Sequence, residues 1–147
     1  DAGGAEIIRG VMEFALVSTA DHRLLRGEEF DRFAIPAQPE RRVDCSDPGR
    51  LILPVLTSAG DYRVRPSDAD MNGHMNNTHY ADLCEDLLPP GTAAGEITLQ
   101  FHHESRPGES VALESARQGD ALYLRGSRGE LPIFAARIGL VTDDHGA

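Results

Sequence analysis

Between Gly60 and Val141 the chain offers one helical period and no second, and this restricts its fold more than any other feature. After Asn76 and Asn77, either of which suits a helix N-cap, Tyr80, Leu83, Cys84, Leu87 and Leu88 fall at i, i+3, i+4, i+7 and i+8. That spacing lines one face for burial. Pro89-Pro90-Gly91 ends the pattern, because proline removes a backbone donor and disfavours helix in the residue before it. Everything else in this stretch reads as strand: a short one at Tyr62 to Arg65, closed by Pro66-Ser67-Asp68, then four at Glu96 to Glu104, Ser110 to Arg117, Ala121 to Arg125 and Pro132 to Val141. In the first of the four, Ile97, Leu99, Phe101 and His103 share one face and Thr98, Gln100, His102 and Glu104 the other. Arg106-Pro107-Gly108, Gln118-Gly119-Asp120 and Gly126-Ser127-Arg128-Gly129 supply the turns. One helix followed by four antiparallel strands predicts an α+β unit in which a single curved sheet covers the helix.

Upstream the pattern is different. Residues 6–18 combine branched and aromatic side chains with partial alternation and read as a strand, and Asp21-His22 reads as a turn. From Arg23 to about Ser58 the chain holds Pro36, Pro39, Pro48 and Pro54 among scattered charges. Proline this dense suits neither a central strand nor a helix. The stretch is longer than the usual loop of a compact domain, so it is expected to join two fold units. The first residue is Asp1, and an apolar run follows almost at once, which predicts that residues of the same unit precede it.

Composition excludes several function classes. At 147 residues and 40% hydrophobic the chain can build an ordinary core. No run approaches the roughly 18 apolar residues of a membrane span, and no signal-peptide order opens the chain, so a cytoplasmic protein is expected. A net charge of −10 argues against nucleic acid or an anionic membrane as partner. All 14 basic residues are arginine, so an anionic partner would have to meet a local arginine cluster. Arg63 with Arg65 is one candidate, and the same pair also reads as two solvated charges on an exposed strand face. Cys45 and Cys84 form no C-x-x-C pair and are expected to be reduced. His74, His79, His102 and Cys84 lack any short-range ligand spacing, so no metal is expected.

The chemistry concentrates in Asp68-Ala69-Asp70-Met71-Asn72-Gly73-His74-Met75-Asn76-Asn77. Asp70, Asn72 and His74 alternate through a turn that runs into a helix N-terminus, where unpaired N–H groups can hold an oxyanion. A carboxylate, a carboxamide and an imidazole together offer a base or nucleophile, an orienting donor and a proton carrier. Read locally, the same residues also make an Asx turn and a helix cap.

D-x-N-x-H-x-N-N leading into an aromatic-containing helix resembles the signature of the acyl-acyl-carrier-protein thioesterases. The likeness continues at Ile97-Thr98-Leu99-Gln100-Phe101-His102-His103-Glu104-Ser105 and at Gly108-Glu109-Ser110-Val111, which are similar to the family's strand ending in Glu-Cys and the turn after it. The resemblance implies a hot-dog fold, with residues 1–30 as the closing strands of a first hot-dog unit, 31–58 a linker, 59–142 a complete second unit carrying the catalytic motif, and 143–147 a tail. It implies pairing with another hot-dog unit and hydrolysis of fatty acyl thioesters on acyl carrier protein, without a cofactor. Asp70, Asn72, His74 and Glu104 match the family's catalytic positions. Whether Glu104 or Asp70 activates water, or Asp70 attacks directly, stays open. Ser105 stands where plant members have cysteine, which excludes cysteine catalysis at that position, and Gly73 replaces a longer side chain. The alternatives are a non-catalytic acyl-binding or assembly module and a thioesterase acting on acyl-CoA.

Overall fold

The computed structural model describes residues 10–12, 18, 21, 23–26 and 49–142. The chain divides into two compact units, Asp1–Asp47 and Pro48–Ala147. In the first, Asp21 lies in a turn, and Ser18 N–H donates to the Arg23 carbonyl at 2.9 Å. Most of the strand expected over residues 6–18, most of the linker, Cys45 and the tail lie outside the described residues.

The second unit runs β1 (Thr57–Arg63), a 3-10 turn (Pro66–Asp68), α1 (Asn77–Glu85), β2 (Thr92–Phe101), β3 (Ser110–Gln118), β4 (Ala121–Arg128) and β5 (Leu131–Thr142). The strands form one antiparallel sheet in the order β1-β3-β4-β5-β2, so β1 and β2 are its edges. α1 packs on β2 and β5. Its face expected to be buried is buried: Tyr80, Leu83 and Cys84 meet Val111, Leu124, Ile133, Phe134 and Ile138 in one apolar core. Burying a side chain of this size stabilises by about 1.5–3 kcal/mol. Burial also pushes the Cys84 thiol up to about 12, so it stays protonated and unreactive at neutral pH.

Asn76 is the N-cap, its side-chain oxygen accepting from Thr78 N–H at 3.1 Å. The helix stops at Glu85, one turn before Leu88. Leu88 precedes Pro89, and that position disfavours helical backbone. Leu87 and Leu88 still pack on the core from looser turns closed on Cys84 O (3.3 Å) and Glu85 O (3.0 Å). β1 begins at Thr57, inside the stretch read as linker, with a bulge between Ser58 and Gly60. β2 ends at Phe101, not Glu104, because His102 and His103 both donate their N–H to the Ile133 carbonyl (2.8 and 3.1 Å). Two residues opposite one is a bulge, and it breaks the alternation of faces expected through Glu104.

Gly126 makes the tightest fit in the sheet. A Cβ there would stand 2.6 Å from Phe134 Cδ1 and 2.9 Å from Val111 Cγ1, and Phe134 is fully buried beneath it. Gly126→Ala must displace a ring that has nowhere to go, an overpacking cost of about 1–3 kcal/mol. The expected outcome is a clearly lowered melting temperature by circular dichroism, whereas Gly129→Ala, which meets nothing within 4 Å and is strained only by its φ of +60°, should cost less.

Candidate active site

The turn entering α1 is held from below by Asp68. Its side chain is 4% exposed and accepts from Tyr62 Oη (2.6 Å), Arg65 N–H (2.7 Å) and Ser67 Oγ (3.2 Å). Removal from water pushes this carboxyl up, and the three donors, led by Tyr62, outweigh that, so it stays below the usual aspartate range. The Asp68 carbonyl also accepts from Asn76 N–H (2.9 Å), tying the start of the turn to the helix cap.

Between those two points the chain folds back on itself. Asp70 N–H donates to His74 O (2.8 Å) and Gly73 N–H to Asp70 O (3.0 Å), with Gly73 at φ +77°, a conformation glycine adopts without strain. Asp70 Oδ1 accepts from Asn72 N–H (2.8 Å) and His74 N–H (3.4 Å), and Oδ2 from Asn72 Nδ2 (3.3 Å). This is the Asx turn that local reading allowed. The Asn72 N–H, above all, holds the Asp70 carboxyl below its ordinary range, with the His74 N–H and the Asn72 side chain adding to it.

The turn delivers His74 to Glu104, thirty residues later. His74 Nε2 lies 3.0 Å from Glu104 Oε2, and Arg106 Nη2 donates to Glu104 Oε1 (2.8 Å) while standing 3.3 Å from the same Nε2. Met75 N–H donates to Ser105 O (2.8 Å), pinning the two segments together. The pair opens on a cleft of about 270 Å³ walled by Asp70, Met75, Asn77, Tyr80 and Phe101, with His102 and His103. Tyr80 stacks edge-on against Phe101 and Phe134 at 5.4 and 5.2 Å, which gives the cleft an aromatic floor. Of the first N–H groups of α1, that of Thr78 is taken by the Asn76 side chain and that of His79 by the Asn76 carbonyl (3.0 Å), while Asn77, whose N–H the cap does not take, stands on the cleft wall.

Of the four residues picked from the sequence, Asp70, His74 and Glu104 meet at this cleft, and Asn72 touches it only through Asp70. Three were missed. Arg106 lay hidden in an ordinary Arg-Pro-Gly turn. The sequence places His102 and His103 on opposite faces of one strand, and the bulge at Ile133 turns both to the cleft. His103 Nδ1 lies 2.6 Å from the Pro132 carbonyl, so Nδ1 carries the proton. Ser105 is fully buried, and among the described residues its Oγ makes no hydrogen bond of good geometry, though the buried Tyr80 phenol is close by.

The fold is that of the hot-dog proteins, and the family follows from comparison. The profile of the acyl-ACP thioesterase C-terminal domain matches residues 56–130, and this chain belongs to that family. An acyl-ACP thioesterase from Bacteroides thetaiotaomicron superposes with a TM-score of 0.69 at 14% identity, over 85% of this chain and 53% of that one. A structure described as an oleoyl thioesterase from Lactobacillus plantarum gives 0.58 at 19%, over 89% and 55%. The chain thus spans about half the length of both. Among curated proteins, NrdI of Mycoplasma pneumoniae is 25% identical over 81 residues, 55% of this chain and 53% of that protein, too little to define a family. Among the described residues no helix is long and apolar enough to cross a membrane.

Two outcomes follow from the buried groups. Ser105→Ala should leave the melting temperature within a few degrees of wild type, since the buried hydroxyl it removes makes no hydrogen bond of good geometry. Folding lowers the Asp68 pKa, so its carboxylate adds stability above the ordinary carboxylate range and loses it as pH falls through the folded value. Asp68→Asn should therefore melt below wild type at neutral pH, with the two curves converging as the solution is acidified.

Proposed function

We propose that this chain carries the catalytic hot-dog unit of an enzyme that hydrolyses fatty acyl thioesters on acyl carrier protein in the cytoplasm, releasing the free acid. The observation that carries this reading is the 3.0 Å contact between His74 Nε2 and Glu104 Oε2 at a cleft bordered by a helix N-terminus and an aromatic floor. On this reading Glu104 takes a proton from water as its oxygen attacks the thioester carbonyl. The Asn77 N–H at the start of α1, which the Asn76 cap does not take, stabilises the oxyanion. His74 relays the proton to the departing thiolate sulfur, so that water and thioester become acid and thiol.

Geometry supports Glu104 over Asp70 as the group that takes the proton. Asp70 is engaged by three N–H donors and is held ionised by them, which weakens it as a base and as a nucleophile. Glu104 is half exposed and faces His74. Asp70 and Asn72 are therefore assigned to presenting His74, and Glu104 to the proton. Residues 1–30 are proposed as the end of a preceding hot-dog unit and the chain from residue 31 to the start of β1 at Thr57 as its linker, with pairing between hot-dog units as the working assembly.

The test is release of free thiol by the full chain from an acyl carrier protein thioester and from acyl-CoA. Turnover of the carrier substrate at the higher kcat/KM is expected, preference for CoA would move the substrate class, and no release from either would leave a binding module. Glu104→Gln and His74→Ala should each lower kcat by about 10² to 10⁴, the usual cost of a lost general base or proton carrier. Asp70→Asn keeps an oxygen for the Asn72 N–H and should cost only about tenfold, and Ser105→Ala less. A dead Asp70→Asn beside an active Glu104→Gln would reverse the assignment.

A further inference from the structure

Arg106 has no place in the motif that marks the site, yet it touches both members of the pair. Its backbone is held firmly: Arg106-Pro107-Gly108-Glu109 is a tight turn closed by Glu109 N–H on Arg106 O (3.0 Å), with Pro107 second and Gly108 third at φ +90°. Glu109 Oε2 accepts from Arg106 N–H (2.9 Å) and is itself paired with Arg128. Gly108 N–H and Val64 N–H lock the turn to the end of β1, at 2.9 Å each. The side chain rising from this base puts Nη2 2.8 Å from Glu104 Oε1 and 3.3 Å from His74 Nε2.

An imidazole nitrogen offers either a proton or a lone pair, never both. Of the contacts of Nε2 to Glu104 Oε2 and to Arg106 Nη2, only one can therefore be a hydrogen bond in a given protonation state. With Nε2 protonated, it donates to Oε2 and Arg106 holds only Oε1. With Nε2 deprotonated, Arg106 donates to it and Oε2 is released to accept from water. Arg106 has a partner in both states, and in both it keeps the Glu104 carboxylate turned so that Oε2 faces His74.

We infer that Arg106 is a positioning residue that orients Glu104 and selects the His74 tautomer through the catalytic cycle. The inference rests on the assignment of Glu104 and His74 as the reacting pair. At 62% exposure the ion pair adds little to stability, so its role is orientation rather than folding.

Arg106→Ala in the full chain should melt within a few degrees of wild type. It should lose about tenfold or more in kcat on the acyl thioester with KM within about twofold, as when an interaction specific to the transition state is removed. Guanidinium ion added to the assay should restore part of the lost kcat, which it would not do for a residue that merely supports the loop. In the Glu104→Gln background, Arg106→Ala should add a much smaller loss than in wild type, the part that passes through His74, and a full further loss would overturn the orienting role. A rise in KM at constant kcat would make Arg106 a docking residue and overturn the inference while leaving the pair intact. An inactive wild type would instead sink the catalytic reading. The inference would still be decided by 15N spectra of the His74 ring, which should shift toward the Nε2-protonated form in Arg106→Ala. Unchanged ring shifts would overturn it.

Discussion

The site depends on one buried carboxylate. Asp68 stands at 4% exposure in a segment with almost no regular structure of its own, and its survival there requires that every donor around it be spent on it. Tyr62, Arg65 and Ser67 provide those donors, and the Asp68 carbonyl holds Asn76. A buried charge left unpaired costs far more than its hydrogen bonds gain, so the arrangement is kept whole or not at all. The consequence is a short segment, Ala69 to Met75, suspended between two fixed points and closed by the isolated bridge of those same residues. His74 sits in that span, so the position of its backbone is fixed by the turn.

From the other side, the sheet delivers Glu104 by a defect. A regular β2 would carry its alternation through His103, but the paired N–H groups of His102 and His103 on a single carbonyl interrupt it. Bulges re-aim side chains beside functional sites, and this one brings His102, His103 and Glu104 to a single cleft. Met75 N–H on Ser105 O then welds the bulged strand end to the turn that carries His74. The buried Ser105 contributes its backbone carbonyl to this weld, with the Tyr80 phenol close by.

Asp70 shows how one motif residue can also shape the turn that carries it. Its three donors explain both the depressed pKa and the shape of the turn. The family likeness and the local Asx reading were therefore not rivals. The same carboxylate that fits the signature serves here by holding Asn72 and His74 in place.

Much of this was legible in the chain before folding. The single helical period, the Asn76 cap, the prolines after Leu88 and the turn residues between strands are local signals, decided within a few residues by backbone sterics and hydrogen bonding, and they define an α+β unit with its apolar face. The motif from Asp70 to Asn77 was legible for the same reason, since an Asx turn and a helix cap are written in adjacent residues. What the sequence could not state were the relations across long separations. Arg106 is an ordinary turn residue until tertiary structure sets its guanidinium beside Glu104 and His74, and the two histidines before Glu104 face the cleft only because Ile133, on another strand, offers one carbonyl to both. Such contacts carry no periodicity, because they are fixed by the register of strands paired far apart in the chain, and only the folded sheet decides that register.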